Sequence, residues 1–126
     1  MGFIIKSCDV IGGRGRAEVQ ALFDTGSGAS FVRQDIAEQI GNVVEVPGGP
    51  EQFTMADEMF SLSAYKEVAL RVTIGNVRPL RFNFLVVGTL AEEMIIGVDM
   101  MQRWKIKIDP EQEDVSVDPR ALYMRA

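Results

Sequence analysis

The chain has 126 residues, 47% of them hydrophobic and 25% charged, with a net charge of −5 at neutral pH; this is the make-up of one globular domain that buries about two-thirds of its unfolded surface. The acidic balance, with no basic run to offset it, excludes a sequence-independent grip on nucleic-acid phosphates and docking on an anionic membrane. A single cysteine, Cys8, and the absence of histidine exclude an intrachain disulfide, a Ser-His-Asp or Cys-His catalytic group, and the commonest nitrogen ligand of zinc.

In chain order, the start "MGFIIKSCDVIGG" sets Lys6 inside a very short apolar stretch and has no signal-peptide core. Ser7 stands one position too late for a myristoylation pattern. A cytoplasmic protein is expected, with the periplasm or a place within a larger protein as alternatives. "FIIKSCDV" and "RAEVQALFD" flank the turn-forming "IGGRG", which predicts a hairpin. Its second arm alternates Ala17, Val19, Ala21 and Phe23 with Arg16, Glu18 and Gln20, and becomes apolar on both faces near Leu22. Gly12, Gly13 and Gly15 read as a turn, because neither a P-loop lysine nor a following helix accompanies them.

After "LFDTGSGAS", the segment "VRQDIAEQIG" fits a short helix with Val32, Ile36, Ala37 and Ile40 on one face and Gly41 as C-cap. "NVVEVP" returns to strand before the break "GGP". "EQFTMADEMFSLSAY" reads as a hairpin turning at Ala56-Asp57-Glu58, and "KEVALRVTI" with "VRPLRFNFLVV" as another. "EEMIIG" is a buried strand. "VDMMQRW" opens a helix in which Asp99 and Gln102 have capping-box spacing, so Asp99 is the expected N-cap. "KIKID" and "VSVD" form a last hairpin, and the tail after Pro119 is expected either to pair with a partner or to be disordered. A hairpin leading to "ALFDTGSGASFV" and a helix recurs about 70 residues on as a hairpin leading to "EEMIIGVDMMQRW" and a helix. That order points to two similar half-domains, each passing a strand through a loop beneath the next. Cys8 reads as a small packing residue, and Trp104 as core or interface. The methionines read as gap-fillers, with Met55, Met59, Met100 and Met101 as candidates to line apolar subsites.

Asp24 is the residue that demands an explanation. It follows Leu22 and Phe23, which predict burial, and a buried carboxylate is costly unless hydrogen-bonded or neutralised. One explanation is a tight turn in which the Asp side chain bonds an amide two residues on. The other is chemistry: without histidine, carboxylates are the foremost acid–base groups left, with Lys and Tyr as substitutes.

Phe23, the run Asp24-Thr25-Gly26-Ser27 and the later Ile95-Ile96-Gly97 together resemble the signature of retropepsin-type aspartic proteases, over an element order from about Phe3 to Ile108. Val98 and Asp99 after the glycine, where viral members carry Arg, resemble the cellular and bacterial branch. The resemblance implies an all-β fold, a closed acid-protease barrel with one or two short helices and a flap hairpin, in a single domain spanning 1–126. It implies Asp24 as the catalytic acid. Gly26 then brings an amide to the carboxylate, Thr25 braces the partner's loop, and the Ser27 hydroxyl reaches Asp24. Ile95, Ile96 and Gly97 hold the loop from beneath. It also implies a flap over Gln52 to Ser61, with Met55, Ala56, Asp57 and Glu58 nearest the tip. No glycine lies between Glu51 and Tyr65, which makes a stiff arm.

Peptide hydrolysis of this kind needs two carboxylates sharing a proton, and the chain has one such motif. The economical arrangement is a homodimer that sets Asp24 against its copy, with a peptide or protein substrate and neither cofactor nor metal. Asp99 is a poor second acid, lacking the Thr-Gly that follows Asp24. Two alternatives stand beside the endopeptidase: a non-catalytic dimeric peptide-binding module of the same fold, and a β-barrel interaction domain in which the motif is accidental.

Overall fold

The computed structural model describes residues 3–54 and 61–123. The chain folds in the order β1 (Phe3–Gly12), β2 (Gly15–Asp24), β3 (Phe31–Arg33), α1 (Gln34–Ile40), β4 (Val44–Glu45), β5 (Glu51–Thr54), β6 (Ser61–Ala64), β7 (Lys66–Thr73), β8 (Leu80–Val87), β9 (Met94–Ile96), α2 (Val98–Trp104), β10 (Ile106–Asp109) and β11 (Asp114–Val117). A 3₁₀ turn over Pro119–Tyr123 follows, with Ala121 buried.

Alternation decides the first hairpin. β1 and β2 pair antiparallel from Gly12 opposite Gly15 to Phe3 opposite Asp24, so Val19, Ala21 and Phe23 share the inward face. Each such side chain contributes roughly 1.5–3 kcal/mol by burial if large. The tight turn needs Gly12 for space: a Cβ there would strike the Ile40 carbonyl oxygen, which already accepts the Arg14 N–H at 2.8 Å.

The strands then wind into a barrel. The sheet runs β1-β2-β9-β3-β8-β7, and β1 also pairs with β7, which closes six strands on themselves; β4 adds to the outside of β7. Closure leaves the inner strands no free edge. Two pairings are parallel, Phe23 opposite Ile96 between β2 and β9, and Phe31 opposite Leu85 between β3 and β8. At the centre β3 and β9 run antiparallel. Hairpin β1–β2 followed by β3 and α1 is thus matched by hairpin β7–β8 followed by β9 and α2, each short strand lying parallel to the other unit's hairpin. The two half-domains expected from the order of elements are present.

Three local expectations change. Val32 is a fully buried residue of β3, not part of the helix face, because pairing with β8 and β9 claims it first. α1 buries Ile36, Ala37 and Ile40 as expected. Its C-cap Gly41 is extended rather than left-handed, with φ −129°, and is glycine because a Cβ would run into Val68. Asp99 is not the N-cap of α2: Gly97 is, with no side-chain cap.

The main core fills the barrel with Phe23, Phe84, Leu80, Met94 and Ile96, and extends to Met100, Met101 and Trp104 of α2. Met100 is therefore core rather than a lining of any subsite. Trp104 Nε1 donates to the Arg81 carbonyl at 2.8 Å, and the Arg103 guanidinium lies 4.2 Å over its ring. Cys8 is buried, as its packing reading predicts. A second cluster lies outside the barrel wall: Phe31, Val46, Ala64, Leu85 and Val87 pack with Phe53 and Leu62 of the β5–β6 hairpin and with Ile95 and Leu90.

Candidate active site

β2 delivers Asp24 to the end of the barrel wall, in register with Phe3 on one side and one residue beyond the Phe23–Ile96 pair on the other. Phe23 turns into the core, so Asp24 faces outward and is half-buried rather than buried. Its Oδ1 accepts the Gly26 N–H at 2.8 Å, and its carbonyl accepts the Ser27 N–H at 3.1 Å. Turn chemistry and a tethered carboxylate are here the same bond.

What lifts the loop above an ordinary turn is how it is held from below. Val98 N–H donates to the Ser27 carbonyl at 2.8 Å, at the N-terminus of α2. Gly97 N–H donates to Ser30 Oγ at 2.9 Å, and Ser30 Oγ donates to Asp99 Oδ1 at 2.6 Å. Asp99 Oδ1 also accepts the Met100 N–H at 2.7 Å. With Gly97 and Val98 N–H satisfied by the loop, α2 has no need of a side-chain cap. Gly97 has no room for a Cβ, which would overlap the Ala29 carbonyl oxygen and lie 2.6 Å from that of Ser27. Ile96 anchors this arrangement in the core, and Ile95 turns the other way, toward Asp24.

Ser27 departs from expectation. Its hydroxyl donates to the Ala29 carbonyl at 2.7 Å, tightening the loop instead of reaching Asp24. Thr25 is exposed, facing a separate groove shared with Val98 and Met101.

Asp24 opens onto a cleft of about 150 Å³ lined also by Gly28, Phe31, Phe53, Leu62, Leu90 and Ile95. Phe53 and Leu62 lie opposite each other in the hairpin, and Phe53 meets Phe31 edge-on, ring centres 5.2 Å apart. The predicted hairpin is thus present in its arms, docked over the apolar wall beside Asp24. The expected tip residues Met55, Ala56, Asp57 and Glu58 lie outside the described residues. Among the described residues no three Cys, Asp or Glu side chains gather to hold a metal ion. No described helix is long and apolar enough to cross a membrane.

Several lining residues carry no advance signal. Phe31, Leu90 and the Ser30–Asp99 link come together only through pairing between distant strands; Phe53 and Leu62 were legible only as the apolar positions of an alternating hairpin.

Residues 12–103 match the family described as "gag-polyprotein putative aspartyl protease". The chain belongs to this aspartyl protease family. In structure this retropepsin-like protein is similar to the retroviral protease-like domain of Ddi1 from Leishmania major, with a TM-score of 0.67 at 20% identity over 94% of this chain and 90% of that one. A retropepsin-like aspartic protease from Rickettsia conorii aligns with a TM-score of 0.46 at 18% identity, over 86% of this chain and 85% of that one. Among curated proteins, none matches in sequence. The first likeness is one of fold: the same closed retropepsin-like barrel.

Proposed function

We propose that the protein is an aspartic endopeptidase whose active unit is a homodimer, with Asp24 of each subunit supplying one carboxylate. The observation that carries this reading is the setting of Asp24: tethered by the Gly26 amide, rigidly backed by the Gly97–Ser30–Asp99 bonds, and placed at the edge of an apolar cleft beneath a hairpin. One subunit provides a single such carboxylate, and a two-fold axis beside it supplies the second.

In the dimer the two Asp24 side chains share one proton, since like charges at close range cannot both ionise. The ionised Asp24 takes a proton from water as the water oxygen bonds to the scissile carbonyl carbon. The protonated Asp24 gives its proton to the carbonyl oxygen. The tetrahedral diol then collapses: the ionised carboxylate takes a diol hydroxyl proton, the protonated one gives its proton to the amide nitrogen, and the C–N bond breaks to leave acid, amine and a dyad that again shares one proton. Thr25 braces the opposite loop, and the substrate lies extended along the cleft as an added strand beneath the hairpin arms that carry Phe53 and Leu62. Protein or peptide is the substrate class, and the cytoplasm is the proposed compartment.

The test is Asp24→Asn, nearly isosteric and expected to keep the fold. Against a diverse peptide library across acidic and neutral pH, the wild type should cleave and the variant should lose activity by roughly 10²–10⁴-fold or more. Cleavage that persists in the variant, or a wild-type dimer that cleaves nothing at any pH, contradicts the proposal; the second result leaves a peptide-binding module.

A further inference from the structure

We propose that Arg71 and Arg81 form a binding site for a phosphate-class oxyanion at the end of the barrel far from Asp24. The register sets Arg71 of β7 directly opposite Arg81 of β8. Like charges opposite each other on antiparallel strands repel and destabilise the pair. On its other flank Arg71 faces Ile11 of β1, which faces Arg16 of β2. Three arginines therefore lie in one row across four strands. Two residues along from that row Asp9 of β1 faces Glu18 of β2, and Asp9 is bound to Arg16. Neither Arg71 nor Arg81 has a carboxylate partner among the described residues. Both side chains are exposed, and in a chain with net charge −5 the pair stands without a carboxylate, open to an anion from solution.

There is space for one. A cavity of about 370 Å³ is lined by Arg71, Arg81, Asn42, Gly12 and Gly13. The Asn42 amide nitrogen lies close against Gly13 and adds a neutral donor at the rim. Two planar guanidinium forks suit the oxygens of a phosphate dianion; a single carboxylate would leave one cation unmatched. The site lies by the Gly12–Gly15 turn, whereas Asp24 is at the opposite end of ten-residue strands, roughly 30 Å away. It is independent of the peptidase reading and stands or falls without it.

The experiment is thermal unfolding of the full chain in inorganic phosphate, against sodium chloride at matched ionic strength, for wild type, Arg71→Gln and Arg81→Gln. A ligand that binds only the folded state raises Tm in a saturable manner. The wild type should show that rise with phosphate and not with chloride. Each variant should melt higher than wild type in low-salt buffer without phosphate, and should lose the phosphate response. An equal response to chloride, or a phosphate response that survives in both variants, overturns the proposal. Equilibrium dialysis of wild type with radiolabelled phosphate keeps the test decisive if a variant fails to fold: no saturable binding overturns it. A phosphoserine peptide that binds more tightly than inorganic phosphate assigns the anion to a phosphorylated protein segment, and equal binding assigns it to free phosphate.

Discussion

Gly97 has no side chain because the loop carrying Asp24 occupies the space a methyl group would fill, against the carbonyls of Ala29 and Ser27. Gly97→Ala should therefore lower stability by about 1–3 kcal/mol, and should reduce cleavage further by pushing that loop out of place. An urea midpoint and peptidase rate equal to wild type would contradict this. Ser30→Ala removes the acceptor of the Gly97 N–H and the hydroxyl held by Asp99, and should cost about 1–3 kcal/mol for the buried groups left behind. Cys8 gives the pH prediction. Burial pushes its thiol up from 9.0 to about 11, so the fold keeps a proton that the unfolded chain releases first. That contribution to stability is complete below pH 9 and is lost as pH rises toward about 11. The urea midpoint of wild type should fall more steeply across that window than that of Cys8→Ala; equal slopes would refute the burial explanation.

Among the elements, those built from local alternation were legible in the sequence and those built from distant pairing were not. The β1–β2 and β7–β8 hairpins follow from period-two apolar residues around glycine turns, and α1 follows from Ile36, Ala37 and Ile40. The motif residues Asp24 to Gly26 and Ile95 to Gly97 were equally plain. No local pattern announces that β9 slides parallel beside β2, or that Ser30 meets Asp99 across 69 positions. The Ser27 hydroxyl was misassigned for the same reason: its choice between Asp24 and the Ala29 carbonyl is made by the closed loop. The β5–β6 hairpin carries its own prediction. Its anchor is the Phe53–Phe31 contact, worth about 0.5–1.5 kcal/mol beyond burial. Phe53→Ala should weaken substrate binding, seen as a raised KM, with a smaller change in overall stability. An unchanged KM would show that the hairpin does not take part in binding. At the end of α2, Lys105 adopts a left-handed conformation with φ 54°, so Lys105→Gly should raise stability by up to about 1 kcal/mol.

At the scale of the whole molecule, the barrel repeats one unit twice, yet only the first unit ends in an acidic motif. The second delivers Ile95-Ile96-Gly97, which packs beneath the first. Internal symmetry thus builds a rigid seat for one carboxylate, and the proposed mechanism takes the second from another copy of the chain. The most direct measurement mixes wild-type and Asp24→Asn subunits at fixed total concentration, lets them exchange, and reads peptide cleavage against the wild-type fraction. If each active site takes one Asp24 from each of two subunits, activity falls as the square of that fraction, to about a quarter at an equal mixture. A linear fall, to about half at the same point, would mean that one subunit suffices and would contradict the shared dyad.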